Sequence, residues 1–130
     1  MKNSARRENR GTLEELGGCI LHMEGGRARI RYAVKPEHCN PRGVLQGGMA
    51  AVFLDDAMGY AVLSLLGEEA LFTTIDMTLH YLSPVGPGTL VAEGWVVRAG
   101  ERIIYLEGQL AREDGSGPYV RACSTVMRLR

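Results

Sequence analysis

The chain has 130 residues, 15 basic and 15 acidic side chains, a formal net charge of zero and 45% hydrophobic residues. That length suits one domain with a true core, and the even charge argues against a polyanion or an anionic membrane surface as the main partner. The three cysteines, Cys19, Cys39 and Cys123, are odd in number and lack metal-ligand spacing, which predicts reduced thiols in a cytoplasmic protein and no bound metal.

Residues 1–11 are charged and without hydrophobic periodicity, so they read as a flexible tail with no secretory signal. Residues 12–130 read as a single domain. Thr12 to Leu16 predicts a short helix, with Thr12 as N-cap, Glu15 completing a capping box, and Gly17-Gly18 as the stop. Strands follow at Cys19 to Met23 and Arg27 to Val34, joined by a turn at Glu24-Gly25-Gly26. The second strand alternates, with Ala28, Ile30, Tyr32 and Val34 on one face and arginines on the other, the pattern of a half-buried antiparallel strand. Pro36 and Pro41 bracket an irregular connection.

The stretch from Gly48 to Leu66 is apolar on nearly every side, as expected of a helix enclosed in a core. A membrane span of about 20 residues would carry few or no charges, whereas Asp55 and Asp56 interrupt this one. Strands are expected within 70–82, 89–98, 102–113 and 119–129, separated by SPVGPG, AGE and DGSGP. Two strands, a long helix and four strands with short connections predict an α+β fold, a curled antiparallel sheet around one helix. Such a sheet leaves edge strands, so pairing with a second subunit is expected.

Three groups carry candidate chemistry. Gly47-Gly48 opens the helix, where backbone N–H groups lack internal partners and glycine lets a ligand approach; this arrangement suits a carbonyl oxygen gaining negative charge, or merely close packing. Asp55 and Asp56 point about 100° apart. Asp55 falls with Ala51, Val52, Met58, Gly59 and Val62, and is either a satisfied buried acid or a functional one. Eight residues of helix separate it from Gly47 by roughly 12 Å, so the two would share a site only across two chains. Asp56 is the solvated or structurally paired member. Asn40, Gln46 and Thr74 have ordinary roles as turn, helix-start and strand residues beside any functional one. His38-Cys39 lacks the partners of a nucleophilic thiol, and His22 and His80 fall on strands. Phe53, Met49, Tyr60 and Leu82 are candidates to line a pocket or to fill the core.

The run Asn40-Pro41-Arg42-Gly43-Val44-Leu45-Gln46-Gly47-Gly48, followed by Leu54-Asp55, resembles the N-x-x-G-x-x-H-G-G…D signature of hot-dog-fold acyl-CoA thioesterases, the phenylacetate-pathway type above all. The likeness continues through Thr74-Ile75-Asp76-Met77, Tyr81-Leu82-Ser83-Pro84 and Gly100-Glu101-Arg102. It implies the hot-dog fold and hydrolysis of an acyl-CoA thioester, with no cofactor beyond the coenzyme A of the substrate. It also implies a homodimer as the minimal unit, assembling into a homotetramer, with sites between subunits. Residue by residue, it implies Asp55 as nucleophile or general base and the Gly47 N–H as the group polarising the thioester carbonyl. Asn40 would orient the thioester or the carboxylate, and Thr74 a water. Gly48, Leu82, Ser83 and Arg102 would contact substrate, with Arg98 or Arg102 meeting the phosphates. The chain departs from the signature at Gln46, where the family usually has His; glutamine donates a hydrogen bond but shuttles no proton near neutral pH. The rival readings are a non-catalytic acyl-CoA-binding protein, a hot-dog dehydratase or hydratase, and a structural oligomerisation domain.

Overall fold

A computed structural model describes residues 11–129. The expected tail lies outside the described residues except for Gly11, which opens α1 (Gly11–Glu15). The remaining elements are β1 (Cys19–Glu24), β2 (Arg27–Val34), a 3₁₀ turn at Pro36–His38, α2 (Gly47–Leu66), β3 (Phe72–Tyr81), β4 (Gly88–Ala99), β5 (Ile103–Ala111) and β6 (Val120–Arg128). All strand pairs are antiparallel, and the six form one sheet in the order β1-β2-β4-β5-β6-β3. The sheet wraps α2, as the element order predicts.

The β1–β2 hairpin closes on Gly25 and Gly26, both with positive φ (62° and 87°), the backbone of a two-residue turn whose twist matches the strands. The Gly26 N–H donates to Ser64 Oγ at 2.9 Å, tying the hairpin to the far end of α2. On β2 the expected face is enclosed, with Ala28, Ile30 and Tyr32 fully buried.

Only one stripe of α2 is buried: Ala50, Phe53, Leu54, Ala57, Met58, Ala61 and Val62. This i, i+3, i+4 spacing is the signature of a helix laid on a sheet. Off that stripe Gly48 and Asp55 are exposed in the single chain, as is Leu65 at the end of the helix, so the helix is apolar all round without being enclosed all round. Gly67, with φ of 103°, ends it by donating its N–H to Leu63 O at 2.8 Å. By length and composition alone α2 could cross a membrane; here it is the core helix of the fold.

Two strand glycines lie beneath the helix, and one of them, Gly94, sets the helix–sheet distance. A Cβ on Gly94 would lie 2.8 Å from the Met58 N and Cα atoms, and one on Gly108 would meet Glu93 O at 2.8 Å and Met58 Cγ at 3.3 Å. The two are directly opposed across β4 and β5. At Gly94 strand backbone therefore meets helix backbone, and any side chain there would hold the helix away, whereas at Gly108 the obstacles are a neighbouring strand carbonyl and the Met58 side chain.

Candidate active site

Asp55 and Asp56 have opposite environments. Asp56 accepts from the Thr12 hydroxyl at 2.7 and 2.9 Å and from the Tyr32 hydroxyl at 2.9 Å. It is the structurally paired acid: buried Tyr32 brings a phenol that needs an acceptor, and α1 docks on the helix through the same carboxylate. This overturns the expected capping role of Thr12, which lies inside α1 and spends its hydroxyl on Asp56. Burial, followed by the charge and hydrogen bond of Asp56, raises the pKa of Tyr32.

Asp55 has no hydrogen-bond or ion-pair partner among the described residues and is exposed in the single chain. Of the two roles open to Asp55, a satisfied buried acid or a functional one, the first does not hold, and the paired acid is half-buried Asp56. The apolar flank of α2 still desolvates the Asp55 carboxyl, and this burial, with the Asp56 charge second, raises its pKa above the ordinary aspartate value. An unpartnered carboxylate in apolar surroundings, raised in pKa, has the character of a group held for a ligand or a proton.

The start of α2 supplies the complementary character. Gln46 is its N-cap through backbone geometry (φ −64°, ψ 134°), and its side chain makes no capping bond. The Gln46 N–H donates to His38 O at 3.0 Å, while Leu45 N–H donates to Val85 O at 2.7 Å, so the loop before the helix is held on both sides. The N–H groups of Gly47 and Gly48 have no partner among the described residues. Two adjacent free amides at the positive end of a helix make a site for developing negative charge.

Asn40 shapes this loop. Its Oδ1 accepts from Arg42 N–H at 2.9 Å and Val44 N–H at 3.1 Å, and its backbone bonds Val44 and Gly43. The side-chain oxygen is therefore committed to the turn, and only the amide NH₂ remains to face a ligand. Thr74 lies exposed on β3 beside a register shift between Thr74 and Asp76. The Ser124 hydroxyl donates to Asp76 O at that bulge, at 2.9 Å.

Beside the helix start lies a cavity of about 290 Å³, lined among others by Val44, Leu45, Ala50, Leu82, Ser83 and Val120. Of the two roles open to Leu82, pocket or core, it takes the first and lines this cavity. Phe53 does not: it is fully buried and stacks on Tyr32 with ring centroids 4.3 Å apart. Met49 and Tyr60 pack against the core, partly buried.

Arg102 is remote from Gly47 within one chain. Arg128, opposite Phe72 at the beginning of β3, donates its N–H to Arg102 O at 2.7 Å. Tyr81, at the other end of β3, reaches Gly47. Nine residues of strand separate those ends, about 30 Å. Arg102, Arg128, Glu101 and Leu129 instead line a second cavity, of about 440 Å³.

Sequence reasoning missed Tyr81, whose hydroxyl donates to Gly47 O at 2.8 Å. The only available signal was its place in the YLSP segment, since the contact joins residues 34 positions apart. β3 is a sheet edge, and Leu71, Ile75, Tyr81 and Leu82 on or beside it are 50–57% exposed. An apolar edge with free backbone groups invites a further strand.

A sequence model described as the thioesterase superfamily matches residues 42–119, more than half the chain. A candidate esterase of Halobacterium salinarum is 36% identical over 101 residues, spanning 74% of this chain and 66% of that protein. Another, of Saccharolobus solfataricus, is 29% identical over 96 residues, spanning 74% of this chain and 68% of that protein. Among solved structures, a candidate thioesterase of Ralstonia eutropha described as phenylacetic acid degradation-related superposes with a TM-score of 0.82 at 26% identity, covering 97% of both chains. The PaaI protein of the Escherichia coli phenylacetic acid degradation operon superposes at 0.85 with 23% identity, covering 97% of this chain and 89% of the other.

Proposed function

The chain belongs to the thioesterase superfamily and has the hot-dog fold, and from that premise we propose that it hydrolyses acyl-CoA thioesters to the free acid and coenzyme A at a site shared by two subunits. The observation that carries this reading is the pair of unsatisfied groups on α2: the Asp55 carboxylate without a partner, and the free amides of Gly47 and Gly48. One can activate or replace a nucleophile, the other can hold an oxyanion, and their separation of roughly 12 Å along the helix requires a second copy.

In this mechanism the thioester carbonyl oxygen lies against the Gly47 N–H, with Gly48 beside it. Asp55 of the partner subunit attacks the carbonyl carbon or takes a proton from the water that does. Negative charge collects on the carbonyl oxygen and is stabilised by the fixed amide, a contribution of about 10²–10³-fold in rate. The C–S bond then breaks and the thiolate of coenzyme A leaves, taking up a proton that came from water; where Asp55 itself attacked, water then cleaves the mixed anhydride to release the acid and restore the carboxylate. The Asn40 NH₂ orients the thioester, Gln46 donates from its amide and Thr74 positions the water, while Leu82 and Ser83 wall the substrate channel. Antiparallel pairing of two β3 edges would set the beginning of one strand beside the end of the other. Arg102 of the partner subunit would then approach Gly47 and meet the phosphates. The reaction needs no cofactor, and the reading entails a cytoplasmic homodimer, paired further into a homotetramer.

Replacing Asp55 with Asn, assayed by thiol release across a panel of acyl-CoAs, tests the reading. A loss of about 10²–10⁴-fold is expected for a general base; unchanged turnover would remove Asp55 from the mechanism. Single turnover in ¹⁸O-water then separates direct attack from base catalysis. Gln46, in place of a histidine, favours one alternative, a protein that binds acyl-CoA without turnover; saturable binding with no thiol release by the wild type would establish it.

A further inference from the structure

We infer that Tyr81 is a positioning residue for the second amide of the oxyanion site, the Gly48 N–H beside that of Gly47, acting through the Gly47–Gly48 peptide; this rests on the reading above. The Tyr81 hydroxyl donates to Gly47 O at 2.8 Å. That oxygen belongs to the same planar unit as the Gly48 N–H, and in a trans peptide the two point in opposite directions. Holding the carbonyl therefore fixes where the N–H is aimed. It also polarises the amide, because a hydrogen bond accepted by a carbonyl strengthens its own N–H as a donor.

The contact is close along the ring as well. A Cβ on Gly47 would lie 3.2 Å from the Tyr81 hydroxyl and 3.3 Å from Cζ. The phenol packs tightly against the space a side chain would need, so a Cβ at 47 would push the Tyr81 ring aside by a few tenths of an ångström. A Cβ on Gly48 meets nothing within 4 Å, leaving that side of the peptide open for substrate. The Tyr81 ring also lines the 290 Å³ cavity beside the helix start. Because Tyr81 ends the edge strand β3, a second copy seated on that edge would press on the same residue that aims the amide.

The test is Tyr81→Phe, which keeps the ring and removes the hydroxyl, with Tyr105→Phe on β5 as a control expected to leave kcat unchanged. For Tyr81→Phe, kcat should fall about tenfold, less than the loss of a whole donor, with KM within about twofold. A merely structural tyrosine would instead lower the thermal midpoint and leave the kcat of the folded fraction intact. Independently of turnover, the ¹⁵N–¹H resonance of Gly48 should move upfield in Tyr81→Phe and stay in place in Tyr105→Phe. An unmoved Gly48 amide overturns the inference even if the wild type proves inactive. An active wild type with equal kcat in Tyr81→Phe overturns it while leaving the hydrolase reading intact. A wild type inactive on every acyl-CoA, with a shifted Gly48 amide, keeps the peptide alignment and defeats the hydrolase reading instead.

Discussion

Replacing Gly94 with Ala tests how the domain is built. The new Cβ would sit 2.8 Å from Met58 N and Cα and 2.9 Å from Ala57 C. An ordinary carbon contact is about 3.5–4.0 Å, so helix and sheet must separate by roughly 0.7–1.2 Å. The obstacle is helix backbone, which has no alternative rotamer. A gap of this size forfeits about a quarter to a half of each contact along the buried stripe, and overpacking of this kind costs up to about 3 kcal/mol. Relief of glycine's backbone entropy returns about 0.5–1 kcal/mol. The net expectation is a loss of about 2 kcal/mol, or roughly 8 °C in Tm. Urea unfolding at fixed protein concentration measures it, since assembly couples to stability. Gly59→Ala is the matched control: its Cβ would meet only Phe72 Cζ, at 4.0 Å, so the helix should gain about 0.5–1 kcal/mol. A Gly94→Ala protein within 0.5 kcal/mol of wild type would refute the claim that backbone contact sets the interlayer distance.

Three further outcomes are expected. Because burial raises the Asp55 pKa, the native state binds more protons than the unfolded chain between the ordinary aspartate pKa and the raised one. Stability contributed there is present at low pH and lost as pH rises through that window. Asp55→Asn should therefore be more stable than wild type at neutral pH, and the wild-type rate should fall on the acid side at a pH above an ordinary aspartate's; an acid limb at or below that value contradicts this. Tyr32→Phe removes one of the two hydroxyls that donate to Asp56 and should cost about 1–2 kcal/mol in urea unfolding, whereas no change would mean the pairing is immaterial. Ile75→Lys places a charge on the exposed edge of β3, where Ile75 is 51% exposed; sedimentation should show monomers, with thiol release lost in proportion, and an intact active oligomer would move the interface elsewhere.

Local chemistry and non-local contact divide cleanly in this chain. The alternation of β2, the glycine pair at the hairpin, the apolar run of α2 and the turn clusters between the later strands are properties of neighbours in sequence. They determined the element order, the antiparallel sheet and its exposed edges, and the N-x-x-G…G-G…D spacing pointed to the family. What they left open was every question about who meets whom across the fold. Asp55 and Asp56 are adjacent and chemically identical, and only the arrival of Tyr32 and Thr12 from 24 and 44 residues away satisfies one and leaves the other free. Thr12 has the sequence of a cap, yet its hydroxyl goes to a charged acceptor, the stronger partner. Phe53 could have lined a pocket until Tyr32 stacked upon it. Gly94, Gly108 and Tyr81 carry no periodic signal, because their roles are distances to another element. Secondary structure follows from the spacing of side chains along the chain, whereas the site follows from which groups remain unsatisfied after the chain has packed.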